Sequence, residues 1–213
     1  WTHRECSYLR VAMLNEGPRV VGRGDANLPP GIAALGRIPR GHPEAAAVKT
    51  TPIRTADLQS SVIAVPPLAR TPDLRLNRDA NRALIRHLEA GGVRSLMYGG
   101  NANFYHLAPS EYAEVLDFLA DTVGADTWVL PSAGPDYGRL MDQAKVLRSR
   151  AFPTAMMLPM SFPYTDAGLA DGVRRFTDAM ARPAVVYLKS DHYLKPATLA
   201  ALAAEGRIVS VKY

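Results

Sequence analysis

Short apolar runs alternate with helical patterns from about residue 61 to the end of the chain. Five segments with helical spacing separate six such runs. The runs are Ser61–Val65, Ser95–Tyr98, Thr127–Leu130, Thr154–Leu158, Ala184–Leu188 and Ile208–Val211. Short continuous apolar runs are typical of strands buried on both faces of a parallel sheet. Strict alternation of such strands with helices predicts a parallel sheet with right-handed crossovers.

Boundary residues support the helical segments between these runs. Asn77 can cap the helix that follows the first run, and Gly91 stands where that helix ends. Pro109 and Pro196 stand at first helical positions, where a missing N–H costs nothing. A further helix is predicted over residues 166–180, ahead of the fifth run.

Two architectures satisfy this alternation, an open doubly wound sheet and a closed β/α barrel. The connection after Val65 lacks the glycine fingerprint of a dinucleotide-binding sheet, and this favours the barrel. A complete barrel has eight units in about 250 residues, whereas six are present here. The sequence therefore predicts an α/β fold, a (β/α)8 TIM barrel of which residues 55–213 supply about six β/α units.

Residues 1–50 have a different composition. Glycine and proline recur there, and no apolar face persists for more than a few residues. We expect an irregular extension, disordered or non-native, and a natural start near Val48, where the composition changes. Gly22-Arg23-Gly24 has no preceding strand and no following helix, so it is a very weak nucleotide motif.

The composition narrows the class of protein. With 213 residues and 47% apolar content, one substantial core is expected, and no run approaches the ~20 residues of a membrane span. Cys6 is the only cysteine, and the histidines show no metal-ligand spacing. The net charge is +5, and the basic residues of the amino-terminal part are scattered among glycine and proline, without clustered aromatic residues for stacking on bases. We expect a soluble, cytoplasmic protein without a nucleic-acid, membrane or metal partner.

Two reactive side chains stand at the ends of the last two runs, Tyr187 and Lys212. The carboxyl ends of barrel strands carry the chemistry in this architecture. A neutral lysine amine can form an imine with a carbonyl carbon, burial disfavours its charged form, and a tyrosine can move protons. A solvated lysine and a core tyrosine are the plain alternatives, and the regular β/α spacing favours the catalytic interpretation.

The polar loop Gly99–Asn103 follows the second run. Its flexible backbone offers N–H groups to a carboxylate at a strand's carboxyl end. A tight turn, for which glycine and asparagine are the usual residues, explains the same sequence. Asp191 and His192, in the loop after the fifth run, are candidates for selecting a second substrate, although a solvated loop is the commoner role.

The chain from Ser61 to Lys212 resembles the dihydrodipicolinate synthase / N-acetylneuraminate lyase family of class I aldolases. Val65-Pro66-Pro67 takes the place of the family's Thr-Pro turn, and Gly99–Asn103 that of its Gly-Thr-Thr-Gly-Glu loop. Tyr187 matches the tyrosine of the fifth strand. Ile208–Lys212 matches the Ile-x-x-Ile-Lys of the sixth.

The resemblance implies that Lys212 forms a Schiff base with pyruvate or a related 2-oxo acid, that Tyr187 relays protons, and that no separate cofactor is needed. It also implies a homotetramer. The substrate-binding positions depart from the family pattern. Gly100 and Asn101 replace paired threonines, Ser161 a tyrosine, and His192 the arginine that grips the second substrate. Asn101 can still hold a carboxylate, whereas Gly100 cannot relay a proton.

Two classes of function follow from these residues. Lys212 and Tyr187 favour a lyase, an aldolase or dehydratase acting on a 2-oxo acid. The changed positions, Gly100 and Ser161, favour a catalytically degraded member that binds a small carboxylate as a sensor or interaction module. The arginine's replacement by His192 makes lysine biosynthesis itself doubtful, and a divergent aldolase or dehydratase is the preferred interpretation.

Overall fold

A computed structural model describes residues 8–9, 48–59, 62–160 and 163–213 of the chain. The strands are β1 (Tyr8–Leu9), β2 (Ser95–Tyr98), β3 (Trp128–Ala133), β4 (Met156–Met157), β5 (Ala184–Tyr187) and β6 (Ile208–Lys212). The α-helices are α1 (Thr55–Gln59), α2 (Arg78–Ala90), α3 (Pro109–Thr122), α4 (Tyr137–Arg148), α5 (Asp166–Met180) and α6 (Pro196–Ala204). Two short 3₁₀ turns, Gly100–Ala102 and Phe104–His106, lie between β2 and α3.

The strands form one parallel sheet in the order β1-β6-β5-β4-β3-β2. From β2 to β6 each strand pairs with the next one in the chain, and a helix crosses over between them. A doubly wound sheet would reverse its strand order at a switch point, and β2 to β6 show no reversal. The order is that of consecutive units of a β/α barrel, so the predicted partial TIM barrel is confirmed.

The first predicted strand is reduced to one bridge in the structure. Ala64 pairs in parallel with Leu96 of β2. Its N–H donates to Ser95 O at 3.0 Å, and its own oxygen accepts from Met97 N–H at 2.8 Å. Residues 60 and 61 lie outside the described residues. The chain that enters the sheet here therefore has the direction expected of a first barrel strand.

Helix boundaries follow the capping chemistry of the sequence. The Asn77 side-chain oxygen accepts from Ala80 N–H at 3.0 Å, and α2 ends before Gly91, as predicted. Thr165 caps α5 in the same manner, through Gly168 N–H at 3.0 Å. Strand bounds differ more from the apolar runs. β3 extends to Ala133, because its lower part pairs with β2 and its upper part with β4.

The short segment 48–53 packs against the amino end of β3. Lys49 N–H donates to Thr127 O at 3.1 Å, and its ammonium nitrogen lies 3.6 Å from the centroid of a Trp128 ring. Val48 and Ile53 are buried in the core. Apart from β1 and residues 48–50, the predicted irregular extension, with its Gly22-Arg23-Gly24 motif, lies outside the described residues.

Most strand residues of β2 to β5 are buried, and the helices cover the sheet. Long-range polar contacts fix the helices to one another. Arg150 makes a two-pronged ion pair with Asp117, at 2.6 and 2.8 Å, and joins the end of α4 to α3. In the described part of the chain, no helix is long and apolar enough to span a membrane.

Candidate active site

Lys212 and Tyr187 lie side by side at the carboxyl ends of β6 and β5. They are paired in the strand register. The next residue on β5's side, Leu188, donates its N–H to Lys212 O at 2.8 Å. The Lys212 ammonium nitrogen lies 3.5 Å from the centroid of the Tyr187 ring. Both side chains are half-buried. The two side chains thus lie together at the carboxyl edge of the sheet, where the sequence analysis predicts them.

A row of side chains runs across the sheet one step below this pair. Ser210 of β6 is paired with Val185, which is paired with Met156, and Met156 with Ser132 of β3. Side chains two residues apart on a strand point to the same face. This row therefore lies on the face that carries Lys212, and it forms the layer beneath the candidate active site.

The loop after β2 folds back on itself. Ala102 and Phe104 donate their N–H groups to Gly99 O at 3.1 and 3.2 Å, and Asn103 donates to Gly100 O at 2.9 Å. Gly100 and Asn101 are exposed, and their own N–H groups make no hydrogen bond to any described residue. These two predicted substrate-binding residues are thus open to solvent at the same edge of the sheet as Lys212.

Gly99 is a position of close approach. A Cβ atom there would lie 2.6 Å from Met156 Cε and 3.2 Å from Ser132 Oγ. A Cβ at Gly100 would meet only Tyr105, whose Cε2 atom lies 3.6 Å away, an ordinary contact. The absence of a side chain at Gly99 is therefore what lets the loop lie directly over β3 and β4.

Tyr105 is a residue near the site that the sequence interpretation did not single out. Its half-buried ring stands against Gly100. Burial raises the pKa of the Tyr105 phenol, and the neighbouring Tyr187 phenol adds to that effect. The signal in the sequence was the aromatic pair Phe104-Tyr105 directly after the Gly/Asn loop, which a core role would explain equally well.

The loop after β5 is held by Tyr193. The Tyr193 hydroxyl accepts a hydrogen bond from Met160 N–H at 2.7 Å, and its ring packs edge-on against Tyr164, with centroids 5.4 Å apart. Burial raises the pKa of Tyr193 to about 12. His192, next to it, is exposed. The fourth predicted substrate-binding residue, Ser161, lies outside the described residues.

An open pocket lies beside this loop. Its walls come from the segment between β3 and α4, the loop between β4 and α5, and the first turns of these two helices. They include Pro135, Tyr137, Met160, Tyr164 and Leu169. Nearer the lysine, the Tyr213 hydroxyl donates to Asp191, which ties the residue after Lys212 to the loop after β5. That hydrogen bond raises the pKa of the Tyr213 phenol. Neither Tyr213 nor the pocket was predicted.

A comparison with protein-family models finds no match. A search of curated proteins finds a relative in Pseudarthrobacter chlorophenolicus, a probable 5-dehydro-4-deoxyglucarate dehydratase. It is 26% identical over 158 residues, which cover 73% of this chain and 52% of the relative. The chain therefore spans about half the length of the curated relative that it matches.

Solved structures show the same fold. A dihydrodipicolinate synthase from Bacillus clausii matches with a TM-score of 0.65 at 19% identity, over 72% of this chain and 52% of that one. YagE of E. coli K12, a prophage protein of the dihydrodipicolinic acid synthase family solved in complex with pyruvate, matches with a TM-score of 0.59 at 22% identity, over 67% and 50%. The chain thus has the fold of these solved structures and spans about half of their length.

Proposed function

We propose that this chain belongs to a lyase, an aldolase or dehydratase, that acts on pyruvate or a related 2-oxo acid through an imine on Lys212. The observation that carries the proposal is the pairing of Lys212 with Tyr187 at the carboxyl end of the sheet, with the lysine nitrogen 3.5 Å from the ring centroid. Imine chemistry needs an amine and a group that transfers protons, and this lysine and phenol can supply the two.

The chemistry starts with the neutral Lys212 amine, which attacks C2 of the 2-oxo acid. The C2 oxygen takes up protons and leaves as water, and a protonated imine remains. This imine withdraws electrons from the neighbouring carbon, so a bond at C3 can break or form. We assign the proton transfers to Tyr187, whose ring lies against the lysine nitrogen. These reaction steps need no separate cofactor.

The remaining candidate residues are assigned to substrate binding. The N–H groups of Gly100 and Asn101, which have no partner among the described residues, and the Asn101 side chain are available to a carboxylate. Ser161 and His192 belong to the loops after β4 and β5 and are proposed to contact the part of the substrate that differs between aldolases and dehydratases. By the same resemblance we propose a homo-oligomer, a tetramer, as the active assembly.

Borohydride trapping tests the lysine. The chain is incubated with pyruvate and sodium borohydride, its intact mass is measured, and the modified peptide is sequenced. We expect one reduced pyruvyl group on Lys212. Lys212→Arg keeps the charge but cannot form this imine, and Lys189→Arg is the matched control at an exposed lysine of the neighbouring loop. An adduct that persists in Lys212→Arg would overturn the assignment.

The second candidate function is a carboxylate-binding module without catalysis. It is favoured by one observation, the absence of any side chain at Gly100, where a hydroxyl would be needed to pass a proton onward. Pyruvate that binds at equilibrium without leaving an adduct, tested with longer 2-oxo acids as well, would support this candidate over the lyase.

A further inference from the structure

Two buried serine hydroxyls have no hydrogen-bond partner among the described residues, those of Ser132 and Ser210. Ser132 is fully buried and Ser210 is 7% exposed. Nearly all buried polar side chains in proteins are paired, because leaving one unpaired is costly. A buried hydroxyl without a partner in the protein is therefore a candidate to bind a ligand or a water molecule.

The strand register places both hydroxyls on the face that carries Lys212. Ser210 precedes Lys212 by two residues on β6, so the two side chains point the same way. Ser132 belongs to the same cross-strand row, through Met156 and Val185. The two serines thus end a row whose middle is apolar, one layer below the lysine nitrogen.

The surroundings of Ser132 combine a glycine and a flexible side chain. Its Oγ atom lies 3.2 Å from where a Cβ of Gly99 would be, so a side chain at Gly99 would cover the hydroxyl. The methyl end of Met156 occupies the same space, 2.6 Å from that position. Methionine has three rotatable bonds and repacks readily. Movement of this methyl group is therefore the change that would open Ser132 to a ligand.

We propose that Ser132 and Ser210 bind oxygen atoms of the 2-oxo acid that Lys212 engages, an inference that rests on the proposed function. The carboxylate and carbonyl oxygens of such an acid only accept hydrogen bonds, and each free hydroxyl can donate one. The layer beneath the lysine thus selects the oxygen-bearing end of the substrate. A hydrocarbon end placed there would leave both hydroxyls unpaired.

Removing each hydroxyl separates a ligand-binding role from a structural one. Ser132→Ala and Ser210→Ala are compared with Ser95→Ala. This control removes a buried serine hydroxyl at the amino end of β2, the end away from the candidate active site. Pyruvate affinity is measured by calorimetric titration and thermal unfolding without ligand by scanning calorimetry. We expect unchanged or raised unfolding temperatures for Ser132→Ala and Ser210→Ala, with pyruvate affinity reduced about tenfold or more in each. Ser95→Ala leaves the affinity unchanged.

An affinity for pyruvate that is unchanged in both serine variants would overturn the inference. Lower ligand-free stability with unchanged affinity would do the same, because the hydroxyls would then serve an internal water. Ser132→Cys and Ser210→Cys, which keep the size of the side chain, repeat the test if an alanine variant unfolds. Wild-type binding without borohydride trapping would overturn the imine mechanism alone, and no binding at all would overturn both.

Discussion

The ammonium nitrogen of Lys212 rests on the face of the Tyr187 ring, 3.5 Å from its centroid, and the two residues are directly paired across β5 and β6. This contact uses the ring of the tyrosine and leaves its hydroxyl free of any described hydrogen-bond partner. The ring and the hydroxyl therefore have separable roles, one in positioning the amine and one in moving protons.

Tyr187→Phe keeps the ring and removes the hydroxyl. We expect thermal unfolding to stay close to that of the wild type, and the rate of imine trapping to fall by about 10²- to 10⁴-fold, the usual contribution of a general acid or base. Tyr187→Leu loses the ring contact too and is the comparison for positioning. Equal trapping rates in wild type and Tyr187→Phe would remove the phenol from the mechanism.

The surroundings of Gly99 and Gly100 predict that an added methyl group lowers the stability at the first position and not at the second. Gly99→Ala places its Cβ 2.6 Å from Met156 Cε and 3.2 Å from Ser132 Oγ, whereas Gly100→Ala meets only Tyr105 at 3.6 Å. We expect Gly99→Ala to reduce the free energy of unfolding by about 1 kcal/mol through overpacking, less than that if Met156 moves aside freely. Gly100→Ala should unfold like the wild type. Chemical denaturation of both variants checks this, and equal stability would contradict it.

Tyr193 anchors the loop after β5 by accepting the Met160 N–H at 2.7 Å. Tyr193→Phe leaves this amide without its acceptor, so we expect a loss of about 1 kcal/mol in the free energy of unfolding. Amide exchange measured by mass spectrometry should rise in the peptide that contains Met160. Tyr164→Phe, which keeps the edge-on ring contact, is the control and should leave exchange unchanged.

Asn81 joins the start of α2 to the chain ahead of it. Its buried side chain accepts from Ala69 N–H at 2.9 Å and donates to Ala69 O at 2.8 Å and Asn77 O at 2.7 Å. Asn81→Leu removes all three bonds and leaves backbone groups unpaired, so we expect a loss of about 3 kcal/mol in the free energy of unfolding. Urea denaturation measures it, with Asp79→Asn on the exposed side of α2 as control. A loss no larger than the control's would contradict the prediction.

Asp166 gives α6 a pH-dependent attachment. Hydrogen bonds from Lys195 N–H at 2.7 Å and from the Thr198 hydroxyl at 2.5 Å hold the pKa of the Asp166 carboxyl below its usual value. A carboxyl with a lowered folded-state pKa contributes stability above its unfolded pKa, about 3.9, and loses it as the pH falls through the folded value.

Asp166→Asn should therefore be less stable than the wild type at pH 7, with the difference closing below about pH 4. Unfolding temperatures measured from pH 7 to pH 3 check the sign. Asp142→Asn, at a carboxylate on the solvent side of α4, supplies the baseline. A difference between wild type and Asp166→Asn that grows on acidification would contradict the assignment.

Helix positions were predictable because their signals are local. Asn77 caps α2, and Pro109 and Pro196 stand at the first turns of α3 and α6, as the sequence indicates. Strand ends depend on the neighbouring strand instead. β4 has only two residues, because the ladder with β3 and β5 is shorter than the apolar run around Met156.

Part of the candidate site was predictable from the order of the strands, and part was not. Lys212 and Tyr187 end neighbouring strands, so strand alternation alone brings them together. That the hydroxyls of Ser132 and Ser210 lack a partner in the described part of the chain could not be predicted, since such partners come from distant segments. Tyr105 was missed for the same reason, because only the fold shows its ring against Gly100.

β1 pairs Tyr8 with Val211 and Leu9 with Lys212, so residues about 200 positions apart share one ladder. Closing so long a loop carries a large entropic cost, and contacts of this sequence separation form late in folding. The other side of β6 pairs with β5, which lies close by in the chain. We therefore expect β6 to pair with β5 first and with β1 later in folding, because the β1 contact spans a much longer stretch of chain.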